Sequence, residues 1–196
     1  AISNSSNEMP LVELAQRLNI MTARGSEEDV LERFLIAADQ IKAQHIVRIC
    51  GDNPLFDRQL MRLLIRSHLK ENSDYTITCD SIPLGTGTEV VKVEALKRVA
   101  DTATEVKYRE HVTTWFHDNP TAITQSRVPA PIYLTNKHHR LTIDTKLDLA
   151  LMEKIFNEFY TSTSPIPNLE KVIQFLDTHP DVAKINAAIP QKNWRS

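Results

Sequence analysis

Two kinds of segment alternate along this chain. In one kind, apolar residues recur every three or four residues, and in the other they form short runs. Spacings of three and four residues predict amphipathic helices, and short β-branched runs predict strands. The predicted strands are residues 45–50, 75–79, 89–93 and 141–143, with two or three short strands expected across 121–143. The predicted helices begin at Pro10, Ser26, Asp57 and Glu94, and four more span 105–118, 146–160, 168–178 and 181–188.

Strands that alternate with helices of this length predict an α/β fold with a mainly parallel sheet flanked by helices. We expect one domain over residues 1–196, in which 161–196 form a C-terminal helical segment. Two local predictions are specific. The first helix should bury Leu11, Leu14, Ala15 and Leu18, and Ser26 should cap the second helix ahead of three acidic residues.

Composition narrows the functional class. The net charge of -2 gives no reason to expect nucleic acid or an anionic membrane as a partner. The two cysteines, Cys50 and Cys79, are far apart, so neither a zinc site nor a disulfide scaffold is expected. We interpret both as buried free thiols of a cytoplasmic protein. Only four glycines are present, which is few for a nucleotide-binding α/β protein.

Two aspartates come directly after predicted strands. Asp52 follows 45–50 and Asp144 follows 141–143. Ligands of open α/β sheets bind at the carboxyl ends of strands, so the two carboxylates could converge on one Mg²⁺ with substrate phosphates. An aspartate in such a place is also commonly a helix cap or a turn residue. Asp57 is interpreted as a cap, and Asp148 as an acid in the first helical turn that interacts with the helix dipole. Spacing alone leaves both interpretations open.

Five motifs change that balance. Residues 24–33 match R-G-S-x-x-D-V-L-x-R, 48–55 match R-x-x-G-D-x-P-L, 89–96 match E-V followed by E-A-L, 109–113 are R-E-H-V-T, and 143–149 match D-T-x-x-D-L. In this order and spacing, the chain resembles the cytidylyltransferases of spore-coat polysaccharide biosynthesis. It is more distantly similar to synthetases of CMP-activated keto-deoxy sugars and sialic acid.

The resemblance implies a Rossmann-like nucleotide-diphospho-sugar transferase fold and a function. The enzyme would use Mg²⁺ to transfer a cytidylyl group from CTP to a sugar, giving a CMP-sugar and pyrophosphate. Asp52 and Asp144 would be its catalytic metal ligands. The substrate-binding residues would be Arg24, Glu89, Arg109, Glu110 and His111. The related synthetases also suggest a homodimer.

Alternatives to several of these roles stay open from the residues alone. Glu89 could point to solvent from an edge strand, and Arg24 could be a surface residue before a cap. Glu110 could belong to a solvated turn, since neighbouring helical residues point in different directions. His138 and His139 look like a metal pair, but we interpret them as loop residues.

The family's N-terminal nucleotide loop has no counterpart in the sequence. We expect that a strand–helix–strand opening of roughly 30 residues or more is missing, and that the chain is a fragment that shows little catalysis alone. Two other hypotheses are a catalytically inactive relative that binds a sugar nucleotide or a protein, and a transferase that uses UTP or dTTP.

Overall fold

The computed structural model describes residues 1–191 of the 196. The strands are β1 (Ile2–Ser3), β2 (Arg24–Gly25), β3 (His45–Arg48), β4 (Tyr75–Thr78), β5 (Glu89–Lys92) and β6 (Gln125–Val128). The helices are α1 (Met9–Arg17), α2 (Val30–Gln40), α3 (Arg58–Glu71), α4 (Val93–Thr102), α5 (Val106–Glu110), α6 (Thr114–Asp118), α7 (Lys146–Phe159), α8 (Leu169–Thr178) and α9 (Pro180–Ala183). A short 3-10 helix covers Ser6–Glu8. The last part of the predicted helical segment 161–196, residues 192–196, lies outside the described residues.

Four strands form one sheet in the order β3-β5-β4-β6, while β1 and β2 form a separate parallel pair. The α/β prediction is confirmed, but one strand departs from the parallel pattern. β5 runs antiparallel to β4, with Tyr75 opposite Val91 and Thr76 opposite Val90. The cause is the connection: residues 79–88 contain no helix, and a parallel crossover needs a dozen or more residues.

The chain forms two compact units, each built from separate stretches. The first unit contains Ala1–Val47, Ile65–Thr76 and Val90–Ser126; the second contains Arg48–Leu64, Ile77–Glu89 and the chain from Arg127 onward. In the first unit, the fully buried Tyr75 stacks on Phe116 at a ring separation of 5.2 Å. The second unit buries a set of aliphatic side chains from α3, α7, α8 and the loops: Leu60, Leu64, Leu134, Leu141, Leu151, Ile155, Ile173 and Leu176.

Of the four residues predicted to be buried in the first helix, Ala15 is buried and the three leucines are not. Val12 and Ala15 are buried, whereas Leu11, Leu14 and Leu18 are 52%, 38% and 57% exposed. Apolar residues occupy both sides of this nine-residue helix, so periodicity does not select the inward side.

Several boundaries also differ from the predictions. The helix predicted over 105–118 is two helices, because the chain turns at residues 111–113 between α5 and α6. Of the strands expected across 121–143, β6 forms, but residues 141–143 make only scattered hydrogen bonds. The last predicted helix, 181–188, is the single turn α9.

The cap of α2 lies three residues later than predicted. The Asp29 side chain accepts a hydrogen bond from the backbone N–H of Glu32 at 2.8 Å, and Ser26 instead accepts one from the N–H of Asp29. Asp57 caps α3 as predicted, through the N–H of Leu60. In residues 1–191, no helix has the length and apolar character needed to cross a membrane.

Candidate functional site

The segment that carries Asp52 lies beside the segment that carries Asp144. The carbonyl oxygen of Asp52 accepts a hydrogen bond from the N–H of Ile143 at 2.9 Å. The Asp52 carboxylate accepts a second bond from the Thr142 hydroxyl at 3.3 Å. The two aspartates do not follow strands directly, since β3 ends at Arg48 and Asp52 sits in the turn beyond it. Their segments are nevertheless joined immediately before Asp144.

A close backbone contact between residues 84–85 and 140–142 also supports the segment that carries Asp144. Leu84 pairs with Arg140, and the N–H of Leu141 donates to the carbonyl of Leu84 at 2.8 Å. Gly85, next to this pair, has φ +89, and a Cβ there would lie 2.6 Å from the backbone of Leu141 and Thr142. Only glycine therefore fits at this position.

Arg140 holds the start of α7 in place. Its guanidinium forms ion pairs with Asp144 and with Asp148, the latter at 2.8 Å. Asp148 is fully buried and completes a capping box with Thr145 at the N-terminus of α7. The prediction that Asp148 lies in the first turn of this helix is thus confirmed. The sequence does not single out Arg140, because no local pattern shows that its partners lie four and eight residues further along the chain.

Asp148 is a strongly stabilised anion. Burial alone would raise its pKa, but hydrogen bonds from Arg140 and from the Asn186 amide, at 2.8 Å, lower the pKa well below the ordinary value. The charge that holds Arg140 beside Asp144 is therefore permanent at neutral pH.

A second ion pair lies near Asp52 in the same unit. Arg48, at the end of β3, donates to the carboxylate of Glu89, at the start of β5, over 2.7 Å. Burial raises the pKa of the neighbouring Cys50 thiol; the Arg48 charge opposes this shift, and those of Asp52 and Glu89 add to it. Arg48, Asp52 and Glu89 thus all lie near enough to the Cys50 thiol to influence its pKa. Glu89 does not point to solvent from an edge strand, because β5 lies between β3 and β4 and the side chain is 13% exposed.

Comparisons with known proteins identify the family. The chain matches the cytidylyltransferase family over residues 1–178. It belongs to this family. Its relatives include an uncharacterized protein of Methanocaldococcus jannaschii, 37% identical over 185 residues that cover 94% of this chain and 74% of that protein. Another is the spore coat polysaccharide biosynthesis protein SpsF of Bacillus subtilis, 34% identical over 161 residues that cover 82% of this chain and 66% of SpsF.

A solved structure supports the fold. The cytidylyltransferase from Leptospira borgpetersenii superposes with a TM-score of 0.85, over 98% of this chain and 79% of that one, at 20% sequence identity. The Rossmann-like nucleotidyltransferase fold expected from the motifs is therefore confirmed. As a cytidylyltransferase, the chain belongs to the nucleotidyltransferase enzymes.

The remaining predicted site residues of this cytidylyltransferase are Arg24, Arg109, Glu110 and His111, and all four lie in the first unit. The two arginines bind other parts of the chain. Arg24 in β2 donates to the carbonyls of Ser3 and Ser5, at 3.1 and 3.2 Å. Arg109 in α5 donates to the cap residue Asp29 at 2.8 Å and to the carbonyl of Ala100 at 3.0 Å. Both guanidinium groups thus have intramolecular partners.

The other two residues of the R-E-H motif have different surroundings. Glu110 is exposed at the end of α5. His111 is half-buried, and its backbone ends the helix by donating to the carbonyl of Lys107. Contact of these residues with a sugar stays a prediction.

The donor set near Asp52 suits a hard cation with few protein ligands. Both carboxylates are exposed, Asp144 at 50%. The pairing with Arg140 uses Oδ2 of Asp144 and leaves Oδ1 available. Residues 1–191 contain no cluster of three or more His, Cys, Asp or Glu side chains able to hold a metal. Two carboxylates with substrate phosphates are the arrangement that Mg²⁺ prefers, so these residues fit that ion and do not fit a closed zinc centre.

Proposed function

We propose that this protein transfers a cytidylyl group from CTP to a hydroxyl group of a sugar, releasing pyrophosphate and forming a CMP-sugar. The hydrogen bond between Ile143 and Asp52 carries the proposal, because it brings the two predicted metal-ligand segments together in a cytidylyltransferase. The relative SpsF is a spore coat polysaccharide biosynthesis protein, which supports surface polysaccharide as the destination of the product.

In this proposal, Asp52 and Asp144 would be the protein ligands of Mg²⁺. The ion would neutralise the negative charge that develops on the phosphates as pyrophosphate leaves. Asp52 is fixed at its backbone by Ile143 and at its carboxylate by Thr142. Asp144 is fixed by Arg140, which is itself held by the buried Asp148. Both carboxylates are thus oriented before any ligand arrives, which reduces the reorganisation that catalysis would otherwise require.

The protein needs to contribute little covalent chemistry to this reaction. The sugar hydroxyl attacks the α-phosphorus in line, its proton passes to solvent, and the bond to pyrophosphate breaks. Positioning and charge stabilisation then account for most of the acceleration. The ion pair of Arg48 with Glu89 lies in the same unit as Asp52 and would keep this part of the unit rigid.

The test is pyrophosphate release from CTP across a panel of monosaccharide acceptors, with UTP and dTTP as competing nucleotides. Asp52→Asn should lower the rate by about a hundredfold or more, because a bound metal contributes several kcal/mol to the transition state. Asp181→Asn is the matched control, since Asp181 is an exposed aspartate in α9. Both variants should keep the melting temperature of the wild type.

Three results would contradict the proposal. Wild-type turnover by Asp52→Asn would remove the metal role of that residue. Preference for UTP or dTTP would change the nucleotide. CTP binding without turnover by any sugar would favour the inactive, ligand-binding relative.

A further inference from the structure

A cavity of about 850 Å³ lies within the second unit, and its described lining residues include none of those predicted to bind sugar. Its walls come from the loop that contains Ser81, from residues 136–140, and from the end of α8 and the chain around α9. This volume is in the range of small-molecule sites in proteins.

The wall of this cavity carries an excess of positive charge. Lys137 and Lys184 line it, and Asp177 is the single acidic residue among the described lining residues. Asp177 is already shared: it pairs with Lys137 and accepts a hydrogen bond from His139 at 2.9 Å. The one carboxylate of the wall is therefore already shared by Lys137 and His139, and Lys184 has no anionic partner among residues 1–191.

Several polar side chains of the wall form no polar contact within the described residues. Ser81, His138 and Lys184 make no side-chain hydrogen bond or ion pair with any residue in the described range 1–191. A hydroxyl, an imidazole and an ammonium group that face one cavity are complementary to the oxygens of a carboxylate or a phosphate.

The cavity also borders the proposed metal site. Arg140 lines the cavity and pairs with Asp144. A ligand in the cavity would therefore lie next to the residue that orients this aspartate, whereas Arg109 is occupied by Asp29 in the first unit.

We infer that this cavity binds the anionic group of the acceptor, a sugar-sized molecule with a carboxylate or a phosphate, through His138 and Lys184. The identification of the ligand as the acceptor rests on the proposed function. The binding site itself does not, because it can be measured without CTP or metal.

The experiment is a titration of the whole protein by isothermal calorimetry and by NMR, in the absence of nucleotide and divalent cations. The probes are glucuronate for the carboxylate, inorganic phosphate for the phosphate, and glucose as the neutral control. The variants are His138→Gln, Lys184→Gln and both together. Lys154→Gln is the matched control, since Lys154 is an exposed lysine of α7 that does not line the cavity.

We expect saturable binding of glucuronate, phosphate or both in the millimolar range, and no binding of glucose. The anion that binds more tightly identifies the anionic group of the acceptor. The double variant should weaken binding by about tenfold, because it removes two charge-assisted hydrogen bonds. Lys154→Gln should leave the affinity unchanged.

Three outcomes would overturn the inference: no saturable binding of either anion, binding of glucose as tight as that of the anions, or equal affinities for the double variant and the Lys154→Gln control. The proposed function fails separately, in the pyrophosphate assay with Asp52→Asn. A protein can therefore pass one test and fail the other.

Discussion

The buried histidine His68 provides a quantitative test of the electrostatics of the first unit. Its ring is fully buried in α3 and contacts two neighbours: His45 Nδ1 at 3.0 Å and the Thr76 hydroxyl at 2.8 Å. Burial, followed by the charges of His45 and Lys92, lowers the pKa of His68 to about 4, and Asp74 opposes the shift. The ring is therefore neutral in the folded protein at pH 7.

The direction of the pH dependence follows from where protons bind. In the unfolded chain a histidine has a pKa of about 6.5. As the pH falls below that value, the unfolded state takes up a proton while the folded state does not, so the free energy of unfolding decreases. The contribution of His68 is fully present above about pH 6.5 and is lost progressively down to about pH 4.

The magnitude follows from the two pKa values. Between about pH 7.5 and about pH 5, the difference in proton binding amounts to about 2 kcal/mol. This is a large part of the 5–15 kcal/mol typical of natural domains, so it should be visible in urea unfolding curves at the two pH values.

The assay compares the pH dependence of stability among the wild type, His68→Gln and the control His138→Gln. His138 is exposed and uncommitted within the described chain, so its removal should leave the 2 kcal/mol loss intact. His68→Gln should be less stable at pH 7.5 but should lose about 2 kcal/mol less on acidification. Equal slopes in the wild type and His68→Gln would refute the reasoning.

Three further substitutions test the contacts described above. Asp148→Asn should destabilise the protein by about 3 kcal/mol, because it leaves the Arg140 guanidinium without its buried anion; an unchanged melting temperature would contradict this. Gly85→Ala should cost more than about 1 kcal/mol, since it combines strain with a backbone clash, whereas Gly51→Ala meets open space and should cost little in the same melting experiment. Asp29→Ala removes both the α2 cap and the Arg109 partner, so urea unfolding should show a loss above the roughly 1 kcal/mol of a cap alone.

The elements that sequence analysis located best are those whose signals are local. α7 was found almost to the residue because its apolar period and its first-turn acid both lie within the helix. The same holds for α3, where Asp57 precedes the apolar stripe and caps it. These signals depend on neighbours a few residues away, which a sequence displays directly.

The features that sequence analysis missed depend on residues far along the chain. The direction of β5 is set by a connection without a helix, and the environment of Glu89 is set by the place of β5 inside the sheet. Neither can be deduced from the strand's own residues. The exposure of Leu11 and Leu14 has the same origin, since the inward side of α1 is chosen by what it packs against.

The arginines show how this limit affects the assignment of function. Arg24 and Arg109 stand in family motifs, which invites a ligand role, yet each is bound to backbone or to a helix cap. Arg140 was not singled out, although it joins the proposed metal ligand Asp144 to the buried Asp148. A motif indicates that a residue is important, but only the contacts of that residue show whether it binds a substrate or stabilises a segment of the chain. Lys184, which has no side-chain partner among residues 1–191, is therefore a better candidate for ligand recognition than the arginines of the motifs.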